Sequence, residues 1–337
     1  MMEKVEVAGE RTAEVVSVPE PEPVADWVEV RVEAAPMCTE YHAWEAGRDG
    51  LMGHEAAGEV AEVAQPCDVA VGDRVVVMPQ YPCGTCRLCR RGDYIHCEHG
   101  RDYEAFTGQA VGDETMAQYV LKPDWLLVPI PDGVSYAHAG MACCGLGPTY
   151  GACERMDVSG ADTVLVSGAG PVGLGGVVNA THRGARVLVS EPDAFRADLA
   201  RDLGADAVVD PREDGAAELE ALTDGAGVDK AIECTGVPAA QRFALDALRR
   251  RGELTFVGEG GDLEVNVSDD LLRKGIDLHG QWHYNRGLAG EVMDVVEANG
   301  EKLDALITHE FPLEEVETAF ELQSERRTGK VVLRPWG

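Results

Sequence analysis

The sequence predicts an α/β protein in which a doubly wound parallel sheet is joined to a second, mainly β domain carrying a metal-binding lobe. Three observations support this. Short apolar runs alternate with helical text from 163 to 280, a glycine-rich turn follows the first run, and four cysteines crowd into residues 83–97. At 337 residues the chain exceeds one ordinary hydrophobic core, so two domains are expected.

The β text comes first. VEVAGE and WVEVRVEAA alternate in short bursts around the proline-rich PEPEP, and GEVAEVA and GDRVVVMP continue the pattern with a turn at Gly72-Asp73. MAQYVLKPDWLLVPIP closes this region. Near residue 150 the grammar changes. TVLVSG, RVLVSE, AVV, KAIECTG, GELTFVG and IDLHG read as strands with helices between most of them, which implies a parallel sheet covered on both faces. The tail, ending in the strand KVVLRP, is expected to return to the first domain.

Composition excludes some functions. Sixty acidic residues against 29 basic ones give a net charge of −31, which leaves no basic footprint for nucleic acid or an anionic membrane. No apolar run is long enough to span a bilayer, and MMEKVEVAGERTAEVV lacks the order of a signal peptide, so a cytoplasmic protein is expected. Only six lysines accompany 23 arginines. A GC-rich coding bias and adaptation to a salty cytoplasm, as in a halophile, both fit that balance.

The most specific motif is Cys83-x2-Cys86-x2-Cys89-x7-Cys97. Four thiolates at this spacing can enclose one tetrahedral zinc and leave no open coordination position, so the site reads as structural. An iron–sulfur cluster is the rival for the same ligands. Next is Gly168-Ala169-Gly170-Pro171-Val172-Gly173, placed between a strand and a helix. Such glycines let the backbone approach a pyrophosphate at the helix N-terminus. Glu191 ends the following strand, where a carboxylate accepts from ribose hydroxyls and repels a 2′-phosphate, favouring NAD over NADP. Arg196 lies close enough to soften that preference. The third set is Cys38, His54 and Cys144. Singly each reads as core, but together they match the two-thiolate, one-imidazole set of catalytic zinc sites that keep one position open.

These pieces, with GHEAAGEV (53–60), VGDRVVV (71–77), VSGAGPVGL (166–174), ARDLGAD (200–206), IECTG (232–236) and GKVVL (329–333), resemble the zinc-dependent medium-chain dehydrogenase/reductase superfamily, which includes alcohol, polyol and L-threonine dehydrogenases. The resemblance covers nearly the whole chain. It implies a GroES-like catalytic domain of residues 1–149 and 286–337 and a Rossmann NAD-binding domain of residues 150–285. It also implies two zinc ions per chain, a small alcohol or carbonyl substrate, and a homodimer or homotetramer. Cys38, His54 and Cys144 would hold the catalytic zinc, with Glu55 beside it and Glu40 orienting His54. Thr149, Thr235 and Gly258 would face the cofactor together with the glycine turn. Thr39 is the candidate relay hydroxyl for the alcohol proton, and His42 the group that passes it on.

One departure bears on this scheme. In Met37-Cys38-Thr39-Glu40-Tyr41-His42, an ungapped match places Met37, not Cys38, in the family's cysteine column, and the interval to His54 is short. Either a local deletion lets Cys38 reach the metal, or the site is altered. The first is preferred, because no other thiolate is near and methionine is a weak zinc ligand. Trp44, Tyr103, Phe106 and Trp282-His283-Tyr284 could shape a substrate pocket. Cys144 points to simple alcohols, whereas polyol and threonine dehydrogenases more often carry glutamate there, and LLRKGIDLHGQWHYN is closer to those enzymes. Two rivals stand beside this reading: a zinc-free reductase of the superfamily, against which His54 and Cys144 argue, and a non-catalytic nucleotide-binding relative whose zinc site is impaired.

Overall fold

The structure is a computed structural model that describes residues 1–48 and 50–337. The chain divides into two compact units, Met1–Gly145 with Asn285–Gly337, and Leu146–Tyr284. A boundary at 149/150 would cut the helix Gly147–Arg155, which belongs wholly to the second unit.

The first unit opens with β1 (Met2–Gly9), β2 (Thr12–Val18), β3 (Trp27–Pro36), β4 (Ala56–Glu62), β5 (Arg74–Val77), β6 (Tyr119–Pro123) and β7 (Leu127–Pro129). The second contains β8 (Thr163–Ser167), β9 (Arg186–Ser190), β10 (Ala207–Val209), β11 (Val228–Glu233), β12 (Leu248–Phe256) and β13 (Asp277–Gly280). The chain then returns as β14 (Ile307–Pro312) and β15 (Lys330–Arg334), and β15 pairs antiparallel with β3.

In the second unit all six strands are parallel, in the order β10-β9-β8-β11-β12-β13. The central strands TVLVS and RVLVS are buried after their first residue. Continuous apolar text of that kind, rather than alternation, is what a sheet covered on both faces requires. The order reverses beside β8, and at this switch point the ends of β8, β9 and β11 deliver the glycine turn, Glu191 and Thr235.

The first unit is mixed. β1 and β2 form a hairpin, while β14-β15-β3-β4-β5-β7 make a second sheet with β6 also on β3. Its core gathers Val28, Val30, Val32, Met37, Trp44 and Phe320, with the Trp44 and Phe320 rings stacked at 5.5 Å. A smaller cluster joins Trp27, Tyr81, Tyr103, Phe106 and Leu121. Trp44 and Tyr103 are therefore core rather than pocket, since both rings are spent on packing and the Tyr103 hydroxyl donates to Val111 O. Among the described residues no helix is long and apolar enough to cross a membrane.

One buried group in β3 is poorly accommodated. Glu29 is 3% exposed, stands opposite Glu62 in the neighbouring strand, and its Oε1 has no hydrogen-bond partner. Burial, with Glu20 and Glu62 nearby, pushes its carboxyl from an ordinary value of 4.5 up to about 7. Below both values folded and unfolded chains carry the proton alike. Between them only the unfolded chain ionises, so stability falls as pH rises, and above about 7 the penalty is complete. Glu29→Gln is expected to raise stability at pH 8 by up to about 3 kcal/mol and to change little at pH 4, as read by thermal melts. An equal gain at both pH values would contradict this.

Candidate metal and nucleotide sites

Strand β3 sets the first site. It ends at Pro36, and the next two residues part company: Met37 is fully buried in the core, its N–H donating to Val331 O, whereas Cys38 is partly exposed. The ligand atoms of Cys38, His54, Glu55 and Cys144 all lie within 4.8 Å of one another. The shortened interval thus brings Cys38 to His54, and Met37 is a packing residue. The cysteine doublet is resolved in the same way. Cys143 is buried and donates to Val77 O, while the Cys144 sulfur lies 3.3 Å from His54 Nε2.

The surroundings fix these groups. His54 Nδ1 lies 2.8 Å from Glu40 Oε1, leaving Nε2 turned toward Cys144. Glu40 Oε2 accepts from Cys38 N at 2.7 Å, so one carboxylate holds both His54 and Cys38. Glu55 is fully buried: Oε2 accepts from Cys144 N at 3.0 Å, and Oε1 pairs with Lys330 Nζ at 2.8 Å. Lys330 is equally buried, on β15. Sequence motifs place it only within GKVVL, where a lysine followed by three apolar residues on a core strand is the available signal.

The four groups strongly perturb one another's protonation. The hydrogen bond from Cys144 holds the Cys38 thiol well below its ordinary range against the cost of burial, with Lys330 and His54 adding to it. The same bond, with burial, raises Cys144. Burial opposes the charged imidazole of His54, but Glu40 and Cys38 outweigh it and raise its pKa. Burial pushes Glu55 up to about 7 even though Lys330 pulls the other way. Two sulfurs, an imidazole with its other nitrogen already engaged, and a carboxylate are a donor set suited to zinc.

Thr39 and His42 are both exposed. His42 Nδ1 lies 3.4 Å from Glu45 Oε2, and the bond joining the two predicted relay residues is from His42 N to Thr39 O, within the backbone.

The four-cysteine lobe folds as two short helical turns, Cys89–Arg91 and Tyr94–His96. The sulfurs of Cys86 and Cys89 lie 3.4 Å apart, those of Cys83–Cys89 and Cys86–Cys97 4.0 Å, and all four lie within 4.8 Å of one another. A tetrahedron with Zn–S bonds of about 2.3 Å has edges of about 3.8 Å, so the four sulfurs fit one zinc. Burial raises the Cys83 thiol, but N–H groups of Thr85 and Cys86 overcome this and bring it down to about 6. The returning chain anchors the lobe through Asn285 Nδ2, which donates to Arg91 O at 2.8 Å and Asp93 Oδ1 at 2.7 Å.

In the second unit, β8 runs into the glycine turn. Gly168 has φ +90°, and a Cβ there would lie 2.3 Å from Thr235 Cγ2. A Cβ on Gly173 would lie 1.8 Å from Gly168 O, whereas Gly170 faces open space. Pro171 and Val172 begin the helix Pro171–His182. Gly258 allows the backbone to pass against Thr235 and Gly236, where a Cβ would sit 2.3 Å from Gly236 N. Thr235 is held by Glu233, whose Oε1 accepts from Thr235 N at 2.7 Å and from its hydroxyl. In the sequence Glu233 appears only as part of IECTG, with no role of its own. Arg196 lies in the first turn of the helix Ala194–Asp202, with its N–H on Asp193 Oδ1. Thr149 is fully buried, its hydroxyl donating to Leu146 O at 3.1 Å and accepting from Asn179 Nδ2 at 2.9 Å.

Comparison with known proteins shows the family. Residues 171–298 match the zinc-binding dehydrogenase family, and residues 24–132 match the alcohol dehydrogenase GroES-like domain. The chain is 32% identical to an L-threonine 3-dehydrogenase of Pyrococcus horikoshii, covering 95% of this chain and 94% of that protein. It is 30% identical to a sorbitol dehydrogenase of Bacillus subtilis, covering 96% and 95%. The structure matches alcohol dehydrogenase TADH from Thermus sp. ATN1 with a TM-score of 0.88 at 26% identity, covering 98% of this chain and 99% of that one. The chain belongs to the zinc-dependent alcohol, polyol and threonine dehydrogenase family, the medium-chain dehydrogenases. It is thus an oxidoreductase of small molecules, of a kind that works with zinc and a nicotinamide cofactor.

Proposed function

We propose that this chain is an NAD-dependent alcohol dehydrogenase carrying two zinc ions, with Cys38, His54 and Cys144 holding the catalytic ion and Cys83, Cys86, Cys89 and Cys97 the structural one. The observation that carries the reading is the convergence of Cys38, His54, Glu55 and Cys144 within 4.8 Å. It favours an enzyme over a non-catalytic nucleotide-binding relative, since the displaced cysteine still reaches the imidazole.

When bound, zinc would supply Lewis acidity toward the alcohol oxygen, and NAD would supply the hydride-accepting capacity. The chain's own residues do the positioning. Glu40 holds His54 by Nδ1 so that Nε2 faces the sulfurs, and it holds Cys38 by its backbone. Lys330 offsets the negative charge of Glu55, which in turn fixes the Cys144 backbone. Thr39 and His42, both exposed, carry the released proton outward. Glu191, just past the end of β9, presents its carboxylate to the ribose hydroxyls of NAD.

The substrate is an alcohol or the corresponding carbonyl. A second reading, a polyol or L-threonine dehydrogenase, has its own support in the 32% identity to the threonine enzyme. Threonine and sorbitol share a secondary carbinol beside a polar-substituted carbon. A panel of primary alcohols, secondary alcohols, polyols and L-threonine, assayed by NAD reduction, separates these readings. Absence of turnover with every carbinol by zinc-loaded protein would overturn the assignment.

We place the protein in the cytoplasm of a salt-adapted cell, as a homodimer or homotetramer. A net charge of −31 repels itself strongly in dilute buffer, and salt screens that repulsion within about 3 Å at 1 M. The melting temperature is expected to rise steeply between 0.05 M and 2 M KCl, on the order of 10 °C or more if several kcal/mol of repulsion are relieved. A flat response would show the acidity to be coding bias alone.

A further inference from the structure

Glu191 does more in this structure than end a strand. It is 7% exposed, and both of its carboxylate oxygens are engaged by backbone donors from two different loops. Oε2 accepts from Ala169 N, inside the glycine turn, at 2.7 Å. Oε1 accepts from Asp193 N, in the turn that opens the helix Ala194–Asp202, at 2.9 Å. Ala169 is itself fully buried, so its N–H has no solvent acceptor to fall back on.

We infer that Glu191 is a positioning residue for the glycine turn, so that removing its charge weakens NAD and NADP together rather than exchanging one for the other. The inference rests on reading this turn as the dinucleotide site. Each carboxylate oxygen has a second lone pair, so one side chain can hold the turn and still accept from a ribose hydroxyl. An amide cannot do both tasks of the latch. In Glu191→Gln the NH2 group must face either Ala169 N–H or Asp193 N–H, donor against donor, and one buried N–H loses its partner. A carboxylate acting on the ribose alone behaves differently: its neutralisation removes the repulsion of a 2′-phosphate and improves NADP binding.

The test uses full-length protein with its metals. Amide hydrogen exchange across 168–173 is measured without nucleotide in wild type, Glu191→Gln and Glu191→Asp, and NAD and NADP affinities are then measured by calorimetry. Ala169 N–H is expected to exchange at least tenfold faster in Glu191→Gln. Both affinities should fall tenfold or more, with their ratio shifting less than threefold, and Glu191→Asp should recover part of each loss. Unchanged exchange at Ala169, or a gain in NADP affinity as NAD weakens, would overturn the inference. The exchange measurement is independent of any ligand. If wild type binds neither nucleotide, the dinucleotide reading fails while the latch is still decided by exchange. A Glu191→Gln chain too unstable to measure leaves Glu191→Asp, in which Ala169 N–H exchange faster than in wild type supports the latch and wild-type exchange overturns it.

Discussion

A Cys38→Ser variant is expected to fold, to retain the metal of the four-cysteine lobe, and to lose turnover by about three orders of magnitude. Two neighbouring residues set this expectation. Met37 is fully buried and Cys38 turns toward His54 and Cys144, so the serine replaces a ligand without disturbing the core. A hydroxyl is a poor zinc donor beside a thiolate, and loss of Lewis-acid stabilisation worth about 4 kcal/mol corresponds to roughly a thousandfold in rate. Steady-state kinetics with NAD and the best alcohol of the panel, beside a thermal melt, check both halves. Wild-type turnover in the variant would show that the sulfur at 38 has no part in the chemistry. Met37→Leu should be nearly silent in turnover, because that side chain only fills space.

The second large effect is expected at Lys330. Lys330 and Glu55 are both completely buried and 2.8 Å apart, so each charge depends on the other. Lys330→Met leaves a carboxylate in the interior whose remaining polar contacts are Cys144 N and, at 3.9 Å, His54 Nε2. Breaking a buried pair from one side costs about 3–5 kcal/mol. A loss of that size should be visible as a lowered denaturation midpoint in urea. The double variant Lys330→Met with Glu55→Gln should recover part of the loss, since it removes the stranded charge as well. If the single and double variants were equally destabilised, packing around the lysine, not charge, would be the cause. Turnover should fall in both, because Glu55 also fixes the Cys144 backbone.

The sequence made some parts of this molecule legible and left others unread, for identifiable reasons. TVLVS and RVLVS declare buried parallel strands because both faces of such strands must be apolar. The glycine turn is legible because a side chain at Gly168 or Gly173 would collide with Thr235 or with Gly168 O. The cysteine lobe is legible because four sulfurs at short spacing have few other uses. What spacing could not tell was which of two adjacent residues faces the site. Met37 and Cys38, like Cys143 and Cys144, are separated by backbone direction at a strand end and in a turn, and composition does not record that. Aromatic residues misled for a related reason. Trp44 and Tyr103 lie near the right segments in sequence, but their large apolar surfaces are used in packing. Lys330 went unread because a charged residue on a strand normally signals a solvent face, and only its tertiary pairing with Glu55 reveals a buried partner; Glu233 went unread because its partners, Thr235 and Gly236, are fixed by a local turn that spacing does not record. The domain limits shifted by a few residues because Gly147–Arg155 is a single helix, with Pro148 in its first turn, where a proline starts a helix rather than breaking it.

The proposed chemistry stands on one chain holding two zinc ions, one in each cysteine cluster. The decisive measurement is the zinc content of purified protein by mass spectrometry, in wild type, Cys38→Ser and Cys97→Ser, each dialysed against a weak chelator. Wild type should hold two zinc ions per chain and Cys38→Ser one, with the retained ion showing four sulfur neighbours in its X-ray absorption spectrum. A wild-type chain that turns over alcohol with a single zinc, or a Cys38→Ser chain that still holds two, would contradict the two-site assignment.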